Sequence, residues 1–420
     1  MTRLLTPYRR IFAVPGTLAF SSAGLIARLA TAMFRFAIVA MLAQRPSAYA
    51  LAGAVTATQA ISYAIVGPRL SRAVDRHGQR RVLLPAAATG SAALTALALA
   101  SALDAPHWTL FVAAAGAGVI PNAGSMVRAR WAALLSGTEH LHPAYSLESV
   151  VDEVVFTVGP VLAIGLATTL APQSALFLAA ALLALGCWLL ARQTATEPPR
   201  TARARTVHRG SALRFAGMPA LVLTFLAIGA IFASVEVVTM ALAAAQGHSS
   251  LASPVLAVYA VGSAAAGLAY GGFRPRGTLR QRLLVGTALM TVTMVPLLLT
   301  GNLLLLGVAL FVAGGACAPT MATALGVIET AVPKERLTEG MTWSSTGLGF
   351  GIALGAALAG QVVAAAGPRT AFVVPVACGL VAVLAAVPGV LARRRTERQE
   401  PPAGAEAATV AEATVVSAGL

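Results

Sequence analysis

Long apolar stretches dominate the pattern of hydrophobic and polar positions along the chain. Four stretches without Asp, Glu, Lys or Arg have about the length that one helix needs to cross roughly 30 Å of hydrocarbon: 46–68, 82–103, 105–127 and 370–392. Three others are about twice as long and carry turn residues near their middles: 154–191, 237–273 and 283–328. We interpret each of these three as a helical hairpin.

The remaining apolar segments complete a set of twelve predicted transmembrane helices. Their predicted bounds are 15–43, 49–68, 82–103, 107–133, 146–170, 173–192, 218–245, 251–273, 283–300, 303–329, 341–366 and 370–392. The first stretch lacks a small-residue cleavage site and is too long for a signal peptide, so it counts as a helix. The expected fold class is all-α integral membrane.

Composition excludes a soluble protein of this length. Hydrophobic residues make up 57% of the chain, charged residues 11%, and the mean hydropathy is +0.79. A soluble domain carries about a quarter charged residues. The three cysteines, Cys187, Cys317 and Cys378, lie in apolar runs without CxxC spacing. We therefore predict no metal site, no disulfide framework and no cofactor.

The formal net charge of +15 is a signal of topology. Of the 30 basic residues, 24 fall in the termini and in loops on one side of the predicted helices. Cytoplasmic loops of membrane proteins carry such an excess, so both termini are predicted to be cytoplasmic. Nucleic-acid binding is therefore not expected. Arginine outnumbers lysine 29 to 1 and alanine is abundant. This composition suits a GC-rich bacterial genome, and we predict a multi-pass protein of the bacterial cytoplasmic membrane.

The chain divides into two similar halves. Residues 1–192 form the predicted N-terminal six-helix half, and a basic, Pro-containing linker follows at 193–217. Residues 218–395 form the C-terminal half, and 396–420 is expected to be a disordered cytoplasmic tail. Gly116–Pro121 in the first half corresponds to Gly314–Pro319 in the second at an offset of 198 residues. This spacing predicts two pseudo-symmetric six-helix bundles.

The loop after the second helix carries the most specific motif. From Ser71 to Leu83 it resembles G-x-x-x-D-R-x-G-R-R/K, the characteristic loop of the major facilitator superfamily, with Ser71 and Gln79 as departures. The resemblance covers the chain from Ile11 to Arg395. It implies a monomeric transporter that works by alternating access. It also implies a conformational latch formed by Asp75, Arg76, Gly78, Arg80 and Arg81.

Charged residues inside predicted spans are candidates for function, because an unpaired charge in the bilayer is costly. Arg28 and Arg35 lie seven residues apart on one face of the first helix. They either attract an anion or a titrating acid, or have a structural role. Glu236 lies near the pseudo-symmetric position of Arg35. It either binds and releases a proton or forms a permanent ion pair with Arg35 that closes the outer side.

Helix 5 begins with an acidic segment. Glu148 and Asp152 share a face, and Asp152 is expected near the cytoplasmic headgroups. Arg128 and Arg130 end helix 4 at the same predicted depth. A fixed salt-bridge cluster at an inner gate is one interpretation. The other makes Asp152 or Glu153 a proton carrier.

Gly159-Pro160 in helix 5 resembles the core of a motif that antiporters of this family carry, without the usual flanking glycines. A Gly-Pro pair bends a helix and permits close packing. The motif favours export.

We therefore predict a secondary active transporter, with a proton-coupled exporter as the favoured form, whose partners are a small-molecule substrate, protons and the lipid bilayer. An importer or facilitator of the same fold is the first alternative, and a non-transporting membrane scaffold or sensor is the second. An enzyme is not expected, because no nucleophile–base or metal-ligand constellation lies within the predicted spans.

Overall fold

The computed structural model describes residues 2–42, 49–199, 211–248, 251–273 and 275–399. These residues form fifteen α-helices with short 3₁₀ turns between some of them. The helices are α1 (Thr2–Phe12), α2 (Thr17–Leu42), α3 (Tyr49–His77), α4 (Gln79–Ala102), α5 (His107–Gly116), α6 (Ala123–Leu135), α7 (Leu141–Thr169), α8 (Ser174–Arg192), α9 (Met218–Ala245), α10 (Ala252–Gly272), α11 (Leu279–Met294), α12 (Leu303–Gly314), α13 (Cys317–Ala331), α14 (Leu337–Ala371) and α15 (Val373–Gln399).

The predicted all-α fold with twelve membrane-crossing segments is confirmed. Within the described residues, ten helical segments are long and apolar enough to cross a membrane. The other two crossing segments are α3, whose last turns are charged, and α15, whose apolar part is Val373–Pro388. Large apolar side chains lie exposed on the outside of the bundle, for example Val161, Leu304 and Leu384. This apolar surface is what contact with lipid requires.

Two of the predicted spans are broken helices. The fourth span consists of α5, a 3₁₀ turn at Ala117–Val119 and α6, and the tenth consists of α12 and α13. The breaks fall in the repeated motifs: α5 ends at Gly116 and α12 ends at Gly314. Asn122 then caps α6, because its Oδ1 accepts a hydrogen bond from the backbone N–H of Ser125 at 2.9 Å.

Small residues allow the helices of each half to pack closely. In the N-terminal group, α2 packs against α7 and α8, and Gly186 of α8 lies against the backbone of Ala27. In the C-terminal group, α14 packs along α9, and Gly351 and Gly355 lie against the α9 backbone. A larger side chain at these glycines would force the helices apart.

The N-terminal and C-terminal groups of helices contact each other through a small set of helix pairs. Helix α7 of the N-terminal group packs against α10 and α13, and α3 packs against α14. The short helix α1 lies at the end of the bundle and packs against α7 and α10, where Tyr8 donates a hydrogen bond to the Leu268 carbonyl at 2.8 Å. We call this end the basic side, because it carries Arg9, Arg76, Arg80 and Arg81, and we call the other end the opposite side.

Some predicted boundaries were wrong. Helix α7 begins at Leu141 and not near 146, with His140 as its N-cap residue. Asp152 therefore lies eleven residues into the helix, about 16 Å from its start, which is farther from the helix start than the predicted boundary placed it. Helix α14 is interrupted at Gly367, whose φ of 82° marks the predicted turn between the last two spans. Helix α15 continues to Gln399, and 400–420 of the predicted tail lies outside the described residues.

Candidate functional site

A cavity of about 340 Å³ lies between the two groups of helices. Its walls come from α2, α3, α6 and α7 on one side and from α9, α13 and α14 on the other. The wall is mostly apolar, with Ile61, Phe156, Phe225 and Phe350 among its residues. Four charged residues also line it: Arg28, Arg35, Arg128 and Asp152. A small organic molecule fits a cavity of this size and lining.

An ion-pair cluster forms one end of the cavity. Arg28 Nη1 donates to Asp152 Oδ1 at 3.0 Å and lies 2.7 Å from Glu148 Oε2. Arg128 Nη2 donates to Asp152 Oδ2. Both oxygens of Asp152 are therefore occupied by guanidinium donors. Arg28, Arg128 and Glu148 are buried, so this cluster is a set of charges that compensate one another away from water.

Glu148 is further fixed by an aromatic side chain. Its Oε1 accepts a hydrogen bond from Trp131 Nε1 at 2.8 Å. Trp131 is fully buried and packs edge-on against Phe20 at a centroid distance of 4.8 Å. Trp131 was not singled out from the sequence. Its position three residues after Arg128, on the same face of α6, was the available signal.

The structure separates Arg130 from this cluster, contrary to the expected network of Arg128, Arg130, Glu148 and Asp152. Arg130 Nε donates to Gln79 Oε1 at 2.7 Å, and its two other nitrogens donate to the Gln193 and Leu190 carbonyls and to Thr196. The reason is helical geometry: residues two apart on α6 point to different sides. Arg130 thus joins α4, α6 and the residues after α8.

Gln79 has a role that explains one departure from the family motif. Its Nε2 donates to the Met126 carbonyl at 3.1 Å while its Oε1 accepts from Arg130. The side chain is buried. A basic residue at this position would face the buried guanidinium of Arg130, so the amide is the compatible choice.

Arg35 differs from the other cavity arginines. Within the described residues, its guanidinium has neither an ion-pair partner within 4.0 Å nor a hydrogen-bond acceptor. Arg35 of α2 lines the cavity together with Tyr63 of α3. The Tyr63 hydroxyl accepts a hydrogen bond from Asn122 Nδ2 at 3.1 Å. A cationic group and a phenol are therefore brought together without a carboxylate.

Glu236 has no ion-pair partner in the described part of the chain, so a permanent ion pair with Arg35 is not present in this conformation. It is exposed, and it lies eleven residues, or about three turns, after Phe225 on the same face of α9. Phe225 lines the cavity, and Glu236 lies beyond the cavity lining, nearer the C-terminal end of α9. Arg35 and Glu236 each lie eighteen residues beyond the first residue of their helix. They are therefore equally far along α2 and α9.

Glu153 points away from the ion-pair cluster. It interacts electrostatically with Tyr259 and Cys317, which lie in the other group of helices. Tyr259 Oη and Cys317 Sγ are 2.9 Å apart. Glu153 therefore belongs to a polar cluster between α7, α10 and α13, and it does not line the cavity.

The basic side is closed by contacts between α3 and the start of α14. Asp75 Oδ2 accepts a hydrogen bond from the backbone N–H of Glu339 at 3.0 Å, in the first turn of α14. The partial positive charge of a helix N-terminus favours such a carboxylate. The latch role that the motif resemblance implies for Asp75 stays a prediction.

Glu339 was not among the candidate site residues predicted from the sequence. It is fully buried, and its Oε1 accepts from Arg72 at 2.7 Å, from the Ser211 hydroxyl and from the Ala212 backbone. Arg336 binds its other oxygen at 3.1 Å. Glu339 thus joins both helix groups to the end of the linker. Its position in the first turn of a helix was the available signal.

Hydroxyl groups complete the closure. Ser71 Oγ and Thr342 Oγ1 lie 2.7 Å apart, and Thr342 donates to Ser125 Oγ at 2.9 Å. Ser71 is the second departure from the motif, and it replaces a glycine with a buried hydrogen-bonding group. Two further hydrogen bonds join the helix groups at the basic side. The Ser136 hydroxyl donates to Glu329 Oε1 at 2.9 Å, and His142 Nε2 lies 2.9 Å from the Tyr270 carbonyl oxygen.

The other motif residues have separate positions. Arg76, Arg80 and Arg81 are exposed on the basic side. Gly78 has a φ of 91°, which permits the sharp turn between α3 and α4. Gly159 lies against Ala32 of α2, and α7 continues as a helix through Pro160.

The contacts between the two helix groups are asymmetric. In the described residues, the hydrogen bonds and ion pairs that join them cluster at the basic side, whereas α2 and α9 share none at the opposite side. The cavity is therefore closed toward the basic side. A molecule that occupies it would enter or leave on the opposite side in this conformation.

Comparison with known proteins identifies the family. The family model of the Major Facilitator Superfamily matches residues 20–308 and 255–418. The chain belongs to the major facilitator superfamily. The sequence-based family prediction is thus confirmed, and the protein is a membrane transporter of this fold. A search of curated proteins finds no match.

Solved structures of other superfamily members share the fold. The human organic anion transporter MFSD10 is 16% identical with a TM-score of 0.68, over 89% of this chain and 100% of that chain. A bacterial homologue of the iron transporter ferroportin, in an outward-facing state, is 13% identical with a TM-score of 0.68, over 88% and 98%. FucP in the outward conformation is 13% identical with a TM-score of 0.66, over 89% and 98%. These identities show the fold alone.

Proposed function

We propose that this protein is a proton-coupled exporter of a small organic molecule, and that Glu236 carries the proton. The observation that supports this proposal is the carboxylate of Glu236, which is exposed, has no ion-pair partner among the described residues, and lies as far along α9 as Arg35 lies along α2. A carboxylate without an ion-pair partner can bind a proton without breaking an existing contact. Asp152 differs, because both of its oxygens already accept from arginines.

The proposed orientation places the basic side in the cytoplasm, as the arginine bias favours. Both termini are then cytoplasmic, and this conformation is outward-facing. Residues 1–192 and 218–395 act as the two moving halves, and 193–217 connects them. The latch of Asp75 with the start of α14 holds the inner side closed in this state and opens in the inward-facing state.

The proposed coupling follows from the charges. An ionised Glu236 would have to lose its water as α2 and α9 approach, and dehydrating a charge is unfavourable. Proton binding from outside removes that obstacle and lets the outer side close. When the inner side then opens, the proton is released to the inside, where the pH is higher. The proton thus moves inward when the carrier returns without substrate.

Export is favoured by the Gly159-Pro160 pair, which resembles the core of the antiporter motif. The close approach of Gly159 to Ala32 also connects α7 to α2, the helix that carries Arg28 and Arg35. A movement of α7 during transport would therefore be transmitted to the cavity arginines.

The test uses purified protein in proteoliposomes and a small-molecule extract of bacterial cytosol as the probe. Vesicles with an acidic interior, an acidic exterior or no gradient are incubated with the extract, and accumulated compounds are identified by mass spectrometry. Proton antiport predicts that at least one compound accumulates more than tenfold over protein-free vesicles when the interior is acidic. Glu236→Gln should abolish this accumulation, while Glu236→Asp, which keeps a carboxylate, should retain part of it.

Three outcomes would contradict the proposal. Accumulation driven by an acidic exterior would indicate symport, and accumulation independent of pH would indicate facilitated diffusion. Gradient-driven accumulation that persists in Glu236→Gln would exclude Glu236 as the proton carrier. Folding of each variant is checked by size-exclusion chromatography before reconstitution.

A further inference from the structure

We infer that the cavity binds a small organic anion, with the guanidinium of Arg35 and the hydroxyl of Tyr63 as the groups that hold its negative charge. The inference rests on the proposed transport function and specifies the chemical class of the substrate. It starts from the balance of charges around the cavity.

The cavity has one more cation than anions. Arg28 and Arg128 are matched by Asp152 and Glu148 in the ion-pair cluster. Arg35 is left over, and among the described residues its guanidinium is bound by neither a carboxylate nor a carbonyl. An unmatched cation in a largely apolar, bilayer-embedded cavity is unfavourable unless water or a ligand compensates it. An anionic ligand supplies that compensation.

The hydrogen-bond directions around Tyr63 add a second donor. Asn122 Oδ1 accepts from the Ser125 backbone as the cap of α6, which fixes the orientation of the amide. Its Nδ2 therefore donates to the Tyr63 oxygen at 3.1 Å. Because the hydroxyl is the acceptor in that bond, its own hydrogen is free to donate. Tyr63 and Arg35 line the same cavity, so their donors can converge on one anionic group.

The rest of the cavity selects the remainder of the molecule. Ile61, Phe156, Phe225 and Phe350 form apolar walls, which suit a hydrocarbon or aromatic body. A permanent cation is disfavoured by Arg35, and an inorganic anion would leave these walls without contact. The favoured ligand is therefore a monoanion with an apolar body that fits about 340 Å³.

Binding of matched probes tests the inference without any gradient. Benzoate, 2-naphthoate, hexanoate and decanoate are compared with their uncharged primary amides, using the protein in lipid nanodiscs at pH 7 and thermal unfolding as the readout. At least one carboxylate should bind tenfold or more tightly than its amide. Arg35→Gln should abolish this preference, Arg35→Lys should retain part of it, and Tyr63→Phe should reduce it severalfold.

Arg369→Gln is the matched control, because this exposed arginine binds only the Gly301 carbonyl among the described partners and lies away from the cavity. It should leave the preference unchanged. If every carboxylate binds no better than its amide, or if Arg35→Gln binds carboxylates as the wild type does, the inference is overturned. A preference for carboxylates in nanodiscs without proton-driven accumulation in proteoliposomes would instead contradict the proposed coupling and leave the anion site standing.

Discussion

Two regions in and next to the cavity differ in whether their charged residues form ion pairs. Near the basic side, Arg28 and Arg128 are buried and bound to Asp152, and Glu148 compensates Arg28 further. Farther along α2 and α9, Arg35 in the cavity wall and the exposed Glu236 have no ion-pair partners among the described residues. The two regions use the same residue types on the same or adjacent helices. They differ in whether a side chain of opposite charge lies within ion-pair distance.

We infer that the paired charges stabilise the fold and that the unpaired charges are available for binding. A buried cluster that compensates itself stabilises one arrangement of helices, and removing one member leaves an uncompensated charge behind. An unpaired charge contributes little to that arrangement, and it is free to bind a proton or a ligand. We therefore expect substitutions in the paired region to affect folding, and substitutions in the unpaired region to affect transport.

The largest effect is expected from Asp152→Asn. This change removes the carboxylate that binds both Arg28 and Arg128, and breaking a buried ion pair typically costs about 3–5 kcal/mol. The melting temperature in detergent should fall strongly, and the yield of folded protein should fall with it. Thr157→Ala, on the exposed face of the same helix, is the control and should behave like the wild type. An unchanged melting temperature in Asp152→Asn would contradict the structural role of the cluster.

A double substitution sharpens this result. Arg128→Gln combined with Asp152→Asn removes one charge of each sign, so Arg28 keeps Glu148 as its partner. We expect the double variant to recover at least half of the melting-temperature loss of Asp152→Asn. A double-mutant cycle of melting measurements gives the coupling between the two residues. Strictly additive losses would mean that the two side chains do not stabilise each other.

A smaller effect is expected from Asp75→Asn. This change removes a negative charge from the N-terminus of α14, an interaction worth about 0.3–2 kcal/mol. The basic side should open more often, by roughly two- to thirtyfold in population, with folding retained. Spin labels at Arg76→Cys and Lys334→Cys report the separation, and Glu335→Gln serves as the control carboxylate. A distance distribution that Asp75→Asn leaves unchanged would exclude the latch role.

The smallest effect on stability is expected from Arg35→Gln, which removes an arginine without leaving a carboxylate unpaired. The free energy of unfolding should fall by no more than about 0.5 kcal/mol, and it could also rise. Arg28→Gln provides the direct comparison, because it leaves Glu148 with one fewer cation. Equal destabilisation by the two substitutions, measured by melting in detergent, would mean that Arg35 has a structural partner after all.

The sequence predicted the fold because the spans are long, apolar and separated by charged loops, and this pattern depends on the bilayer alone. Asp75 was also predictable, since its motif has a fixed spacing. The distribution of charge pairs was not predictable. Arg28 and Asp152 are 124 positions apart in sequence, and their contact depends on how α2 packs against α7.

The error over Arg130 has a similar origin. Sequence distance places Arg128 and Arg130 together, but a helix turns about 200° over two residues, so one faces the cavity and the other faces α4 and α8. The contacts of Gln79 and Glu339 were not predicted because their partners lie in other helices, Arg130 of α6 for Gln79 and Arg72 of α3 for Glu339. Such contacts are a property of packing between helices, which hydrophobic periodicity does not encode.

The dependence of outer closure on the protonation of Glu236 is the central claim, and a distance measurement tests it most directly. Spin labels at Val39→Cys and Met240→Cys, one turn beyond Arg35 and Glu236, report the gap between α2 and α9 in a background without the three native cysteines. We predict two populations of label-to-label distances, a long one for the open outer side and a short one for the closed outer side. The short population should grow as the pH falls, because a neutral Glu236 loses its water more readily as α2 approaches.

Glu236→Gln, which carries no charge at this position at any pH, should show an enlarged short population that is independent of pH. Glu335→Gln removes an exposed carboxylate on the basic side and should respond to pH as the wild type does. A distance distribution that is independent of pH in the wild type, or that still responds to pH in Glu236→Gln as it does in the wild type, would contradict the claim.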